Sequence, residues 1–163
     1  MYETLKTYWH FYGGFRELLK SSYFRLAFFL WLIAFVGVFE DPIKLESVLS
    51  FYAAGVHSIL GFSIGGLAII MAFQGRLITA SQDKVERESL IIRVCVTFFH
   101  FILMQSIFMT LYVFTLIFPN FALRCISLFL MLYSILSAVA LAAILFQFSR
   151  LLNIIDFKDD GEA

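Results

Sequence analysis

Residues 50–73, SFYAAGVHSILGFSIGGLAIIMAF, contain no charged side chain over a length that suits one crossing of a lipid bilayer. A transmembrane α-helix needs about 17 to 25 predominantly apolar residues. Comparable apolar runs occupy residues 23–39, 90–118 and 121–149. The sequence therefore predicts an all-α, polytopic membrane protein with four transmembrane helices.

Little of the chain lies outside these four runs. Residues 1–22 mix aromatic with charged side chains and are interrupted at Gly13 and Gly14, which is typical of an interfacial segment in the headgroup layer. Residues 156–163 form a short acidic tail that we expect to fray from Asp156 onward. Since a soluble domain usually needs at least about 50 residues, we expect residues 1–163 to form a single four-helix membrane domain.

Short polar stretches predict where the helices begin. Asp41 before Pro42 favours a helix start, because aspartate caps a helix and proline suits its first position. The third helix is predicted to start near Ser81. Pro119 and Asn120 are the whole link between the last two runs, which predicts an antiparallel helical hairpin capped by Asn120.

The charges indicate orientation and disfavour nucleic acid as a partner. Twelve basic and twelve acidic residues cancel, so the chain lacks the basic excess of a nucleic-acid-binding protein. Ten of the basic residues precede or begin the first run, surround the second connection or follow the last run. On the opposite side of the membrane, only Lys44 and Arg124 lie in or beside the first and third connections. By the positive-inside rule, both termini and the middle connection are predicted to be cytoplasmic.

Small side chains recur along the second run at alternating spacings of four and three residues. They are Ala54, Ser58, Gly61, Gly65, Ala68, Ala72 and Gly75. This spacing keeps them on one stripe of a helix, which we call the α4 seam. Small residues allow two helices in a membrane to approach closely. The partner is either another helix of the same chain or the same seam of a second copy.

The last run contains a weaker series of small residues, which indicates general helix packing. They are Ser127, Ser134, Ser137 and Ala138.

Polar residues inside apolar runs are costly and invite functional hypotheses. The candidates for a pore or polar face are Arg93, Thr97, His100, His57 and Gln105. For each histidine the alternatives are an interhelical hydrogen bond, a pore-lining or pH-sensing role, and binding of a cofactor. The two histidines differ in predicted depth by roughly 14 Å at 1.5 Å per residue, which disfavours a shared haem. Arg93 near a helix end is expected to snorkel to the interface.

The sequence offers no signature of an enzyme, metal site or cofactor. Nucleophilic catalysis needs a base held by a third group, and no aspartate or glutamate lies within any apolar run. Cys95 and Cys125 are far apart without metal-ligand spacing, which favours buried thiols. We therefore expect a protein that is not an enzyme and carries no cofactor.

The connection after the second run is a candidate surface for a cytosolic protein partner. Its charged residues are Asp83, Lys84, Glu86, Arg87 and Glu88. Acidic and basic side chains four residues apart in this stretch pair on a helix face.

From Ser47 to Phe118 the chain resembles small four-span membrane proteins of bacterial antiphage defence, such as the Kiwa membrane component and the lambda exclusion protein RexB. The resemblance rests on the span that begins Ser50-Phe51-Tyr52, the charged turn with Arg76, and the aromatic-rich span that follows. It implies a homo-oligomer of the bacterial inner membrane that senses membrane disturbance or permeabilises the membrane, with a cytosolic partner. The alternatives are a non-catalytic anchor or assembly factor for a cytosolic protein and a small channel without a defence role.

Overall fold

The computed structural model describes the backbone of residues 2–40, 42–79 and 84–159. Within these ranges, the side chains of residues 2, 4, 5, 10, 11, 15, 38–40, 42, 73–79, 84–90, 148 and 150–159 fall outside the description. The described chain is entirely helical apart from short turns, which confirms the all-α prediction. Its helices are α1 (Tyr2–Tyr12), α2 (Gly14–Lys20), α3 (Ser22–Glu40), α4 (Pro42–Thr79), α5 (Lys84–Ile117) and α6 (Phe121–Asp159).

Two consecutive glycines separate α1 from α2. Gly13 and Gly14 have φ values of 89° and 73°, a left-handed conformation that is unfavourable for residues with a Cβ atom. A Cβ atom on Gly13 would also lie 2.5 Å from Cγ of Glu17. The predicted break in the N-terminal segment is therefore confirmed, with its physical cause in the backbone.

Three helices are long and apolar enough to cross a membrane, with candidate spans at Ile43–Ala72, Ile91–Ile117 and Phe121–Gln147. The helices containing them have 38, 34 and 39 residues. At 1.5 Å per residue they are about 57, 51 and 58 Å long, which exceeds the ~30 Å hydrocarbon core of a bilayer. The predicted start of α4 at Pro42 is confirmed.

α5 and α6 form the predicted antiparallel hairpin. α5 ends at Ile117, and Asn120 caps α6 by accepting a hydrogen bond from the backbone N–H of Ala122 at 2.9 Å. The other predicted ends differ in part. Ser81 lies outside the described residues, which resume with α5 at Lys84. The described part of the predicted tail is helical as far as Asp159, and the fraying expected from Asp156 onward stays a prediction.

α6 occupies the centre of the fold and packs against α3, α4 and α5. One apolar cluster joins the first half of α4 to α5 and α6 through Val56, Phe108 and Leu128. A second cluster joins the far half of the same helices through Ile70, Phe98 and Leu141. Together they position α4 so that one of its faces points into the bundle.

α3 packs along only the first half of α6. Phe24, near the start of α3, lies 5.5 Å from the ring of Tyr133 between ring centroids, and Phe35 lies 6.3 Å from Phe121. Because the two helices are antiparallel, the beginning of α3 is level with the middle of the Phe121–Gln147 span. α3 is therefore displaced along the bundle axis relative to the three longer helices.

α1 and α2 fill the space beside the beginning of α3. Tyr8 is 6% exposed and its ring lies 4.9 Å from that of Phe99 on α5. Leu18 is also buried, in a cluster with Ala27 and Tyr133. The N-terminal segment therefore packs against the bundle through its apolar side chains.

Candidate functional site

α4 has two opposite faces with different surroundings. Its buried face contacts α5 and α6 through Leu45, Leu49, Val56, Ser63 and Ile70. The described members of the α4 seam, Ala54, Ser58, Gly61, Gly65, Ala68 and Ala72, are all exposed on the other face. The structure therefore leaves the seam without a partner within the described part of this chain. Gly75 lies among the residues whose surroundings are outside the description.

Adjacent glycines on α4 illustrate the difference between its faces. A Cβ atom added to Gly61 or Gly65 would meet nothing within 4 Å. One added to Gly66 would lie 3.4 Å from the ring of Phe98 on α5. Gly66 thus serves packing within the chain, whereas Gly65 offers open space to a neighbour.

Large side chains border the seam and make it a shallow groove. Phe51 and Phe62 are 85% and 81% exposed on one side of it. His57 is also exposed, one turn from both Ala54 and Gly61. It forms no hydrogen bond with any described residue. The open face therefore combines close-approach positions with a polar side chain that lacks a partner.

The small residues of α6 are used differently from those of α4. Ser127 and Ser134 are fully buried, and Ser137 donates a hydrogen bond to the carbonyl oxygen of Ser134 at 2.8 Å. The hydroxyls of Ser127 and Ser134 have no hydrogen-bond partner among the described residues. This series packs inside the bundle, in agreement with the packing role indicated by the sequence.

His100 is held between two tyrosines inside the bundle. Its Nδ1 atom lies 2.5 Å from the hydroxyl of Tyr8, and its Nε2 atom lies 2.6 Å from that of Tyr133. The Tyr12 ring stacks on the imidazole with centroids 4.4 Å apart. A neutral imidazole has one N–H donor and one acceptor nitrogen, so one hydroxyl donates to the ring and the other accepts from it. This network joins α1, α5 and α6.

Burial of the two α1 tyrosines changes their acidity. Removal from water raises the pKa of Tyr8 above its usual value, and the neighbouring Tyr12 raises it further. Burial also raises the pKa of Tyr12. Both side chains are therefore neutral at physiological pH, as their position against His100 requires.

Gln105 joins α5 to α4 on another side of the bundle. It is 1% exposed, and its Nε2 atom donates a hydrogen bond to the Tyr52 hydroxyl at 2.8 Å. The Tyr52 hydroxyl in turn lies 3.1 Å from Oε1 of Gln105, to which it can donate a hydrogen bond. The amide is thus satisfied by one residue of the neighbouring helix.

The five predicted polar residues do not form one surface. His100 faces α1 and α6, Gln105 faces α4, and His57 lies on the open face of α4. Arg93 is exposed, and Thr97 donates a hydrogen bond to the Arg93 carbonyl oxygen at 2.8 Å. The single chain therefore does not bring the five side chains together, because helix rotation directs them toward different neighbours, and a pore lined by any of them stays a prediction. Of the alternatives for His100, the structure has the interhelical hydrogen bond.

The charged side chains of the candidate partner surface lie outside the described part of the structure. Asp83 lies outside the described residues. The backbone of Lys84, Glu86, Arg87 and Glu88 belongs to α5, but their side chains are outside the description.

Among the described residues, no group of three or more histidine, cysteine or acidic side chains is arranged to hold a metal. Cys125 is buried and Cys95 is partly buried.

Sequence reasoning did not identify the tyrosines that satisfy the buried polar groups. Tyr8, Tyr52 and Tyr133 supply these hydrogen bonds from three different helices. A buried tyrosine usually needs a partner for its hydroxyl, so a tyrosine inside an apolar run was a usable signal. The pairing itself depends on helix rotation, which the sequence pattern does not specify.

Comparisons with family models, curated proteins and solved structures find no match for this chain.

Proposed function

We propose that this protein is a four-span, homo-oligomeric component of the bacterial inner membrane that acts in antiphage defence as a membrane sensor or pore-forming effector. The open face of α4 is the observation that carries the proposal. It presents a stripe of small residues and a histidine that forms no hydrogen bond with any described residue, on a helix long enough to span the membrane. The role in defence follows from the pattern-level resemblance described above.

The shape of the open face favours a second helix over lipid. Lipid tails are as apolar as the side chains of the helix, so association in a membrane depends on close packing and on polar contacts. Gly61 and Gly65 permit a close backbone approach, and the Phe62 ring beside them projects outward far enough to pack against a neighbour. The small residues on the α4 helix of a second copy leave space against which the Phe62 ring can pack.

The polar side chains on this face favour the same conclusion. His57 and Ser58 are exposed on an apolar span, where a polar group needs a partner or water. In a ring of copies around an axis normal to the membrane, these side chains come together near the axis. His57 is therefore the polar residue best placed to line a central space, whereas His100 and Gln105 are occupied inside each chain. Alternation between tight and loose seams would open and close that space.

α3 completes the proposed four spans. Its 19 residues correspond to about 28 Å, close to the ~30 Å hydrocarbon thickness. An even number of spans puts both termini on the same side of the membrane, and the basic residues favour the cytoplasmic side. On the opposite side, Arg124 forms an ion pair with Glu46 at 3.1 Å. Because this pair is neutral, Arg124 counts little against a cytoplasmic position of the termini. α1 and α2 then lie on the cytoplasmic side of α3 and pack against α5 and α6.

The test compares Gly65→Leu with Gly55→Leu. Both glycines are exposed on α4 with nothing within 4 Å of an added Cβ, but Gly55 lies about 100° around the helix from Ala54, off the seam. We expect Gly65→Leu to reduce the oligomer to monomers in mild detergent and to abolish protection against phage and ion leakage from liposomes. Gly55→Leu should retain all three properties.

Two results would contradict parts of this proposal. An unchanged oligomeric size in Gly65→Leu would exclude the α4 seam as the contact between copies. Absence of leakage, together with recovery of a cytosolic protein that is lost on deleting residues 81–88, would instead favour the anchor function.

A further inference from the structure

An apolar groove lies between α2, α3 and the first half of α6. It has a volume of about 560 Å³ and is lined by Leu19, Phe24, Phe28, Trp31, Ile126 and Phe129. This volume falls within the ~300 to 1,000 Å³ of typical ligand sites. Leu19, Phe28 and Ile126 are about half exposed, so the groove opens on the outer surface of the bundle, away from the open face of α4.

The chemistry of the walls restricts the occupant to hydrocarbon. The only polar atom among the lining side chains is the indole N–H of Trp31, and it donates a hydrogen bond to the Cys125 carbonyl oxygen at 2.8 Å. No polar group of the lining side chains is therefore left for a ligand. In a bilayer, the chain that reaches this surface is a lipid acyl chain.

A cationic side chain lies beside the N-terminal end of the groove. The Nη2 atom of Arg25 donates a hydrogen bond to the carbonyl oxygen of Lys20, the neighbour of the lining residue Leu19. The Lys20 ammonium is paired with Glu17 at 3.1 Å. Arg25 forms no ion pair with any described residue, and its side chain is exposed. The net charge of this end of the groove is therefore positive.

The displacement of α3 makes this arginine unusual. Arg25 follows Phe24, whose ring lies 5.4 Å and 5.5 Å from those of Phe129 and Tyr133. The backbone of Arg25 is thus level with the middle of the apolar Phe121–Gln147 span, whereas its guanidinium reaches back to the carbonyl oxygen of Lys20, before the start of α3. Beside an apolar span a charged side chain needs a partner or a polar surrounding, and the Glu17 carboxylate at this end of the groove is already paired with Lys20.

We propose that the groove binds an anionic phospholipid, with one acyl chain along the α3–α6 walls and the headgroup phosphate on Arg25. Arginine matches phosphate oxygens with two parallel N–H donors. The lipid belongs to the leaflet on the N-terminal side of α3, and its headgroup lies deeper there than beside α5 and α6, so the bilayer thins locally to meet the displaced helix. This site does not depend on the proposed defence role or on the α4 seam.

Native mass spectrometry of the detergent-solubilised full chain tests the proposal. The protein is titrated with phosphatidylglycerol and with phosphatidylcholine of the same acyl chains. We expect one retained phosphatidylglycerol per chain and weaker retention of phosphatidylcholine. Arg25→Gln should weaken phosphatidylglycerol binding about fivefold, the effect of one basic residue near an anionic lipid. It should leave phosphatidylcholine binding nearly unchanged.

Matched variants separate the groove from the rest of the surface. Ile126→Trp fills the groove and should reduce the binding of both lipids, whereas Ile135→Trp alters an equally exposed isoleucine of α6 outside the groove and should not. Arg93→Gln is the control for charge, since Arg93 is exposed on α5. Equal retention of the two lipids by the unmodified protein, or equal losses from Ile126→Trp and Ile135→Trp, would overturn the proposal.

Discussion

Nε2 of His100 and the hydroxyl oxygen of Tyr133 lie 2.6 Å apart, so a hydrogen bond joins α5 to α6 in the interior of the bundle. The opposite ring nitrogen faces Tyr8 on α1. One side chain therefore connects the central hairpin with the N-terminal segment. Because a polar group without a partner is costly in this apolar interior, the three residues are expected to act as a unit.

Tyr133→Phe removes one hydroxyl from this unit and keeps the aromatic ring. The His100 nitrogen is then left unpaired, at a cost of about 1 to 2 kcal/mol. This corresponds to a fall of the midpoint of thermal unfolding by roughly 2 to 4 °C per kcal/mol for a chain of this size. Tyr112→Phe is the control, because the Tyr112 hydroxyl has no hydrogen bond to a described residue. Equal destabilisation by the two variants would contradict the importance of the His100 hydrogen bond.

The contact of α1 with the bundle should weaken at alkaline pH. Burial raises the pKa of Tyr8, so the folded protein holds this phenolic proton more tightly than the unfolded chain. The resulting stabilisation is complete below the unfolded pKa of about 10 and is lost as pH rises through the folded value. We expect the midpoint of thermal unfolding to be constant between about pH 7 and 9 and to fall above about pH 10. The fall should be smaller in Tyr8→Phe, and an identical pH profile in that variant would count against this origin.

The pair formed by Tyr52 and Gln105 predicts a non-additive result. Tyr52→Phe leaves the buried Gln105 amide without its partner, which costs about 1 to 3 kcal/mol. Gln105→Met alone removes the Gln105 amide from the Tyr52 hydroxyl, at a similar cost. The double variant replaces both partners by apolar groups and should recover most of the lost stability. Strictly additive losses in the unfolding free energies would show that the two residues do not interact.

The neighbouring glycines of α4 predict two different defects. Leucine at position 66 would be forced against the Phe98 ring, 3.4 Å from the added Cβ, and should destabilise the single chain by about 1 to 3 kcal/mol through overpacking. Gly65→Leu should leave the stability of the monomer unchanged and affect only association. Both properties are measured by thermal unfolding and by particle mass in detergent. A loss of monomer stability in Gly65→Leu equal to that in Gly66→Leu would place both glycines inside the fold.

Local signals predicted much of the helical framework. Length and hydropathy identified the apolar helices, Pro42 and Asn120 marked helix starts, and the two glycines at 13 and 14 marked a break. Each of these signals acts through backbone geometry or capping within a few residues along the chain. These features could therefore be predicted without knowing which helices contact each other.

The partners of the polar side chains were not readable in the same way. The spacing of Arg93, Thr97 and His100 places them on one side of α5, yet only His100 is enclosed by α1 and α6. Enclosure depends on the rotation and axial displacement of neighbouring helices. Hydropathy carries little information about either quantity, because almost every face of these helices is apolar.

By itself, the sequence determined that this chain forms long apolar helices, where α4 and α6 begin, and which small residues share a stripe on α4. Only the tertiary structure decided that the stripe faces outward, that the serines of α6 face inward, and that α3 lies half a span out of register with α6. The physical reason is that helix formation depends on neighbours in sequence, whereas orientation depends on how several apolar surfaces pack at once. In a membrane, lipid and protein surfaces are both apolar, so shape and a few hydrogen bonds select the arrangement.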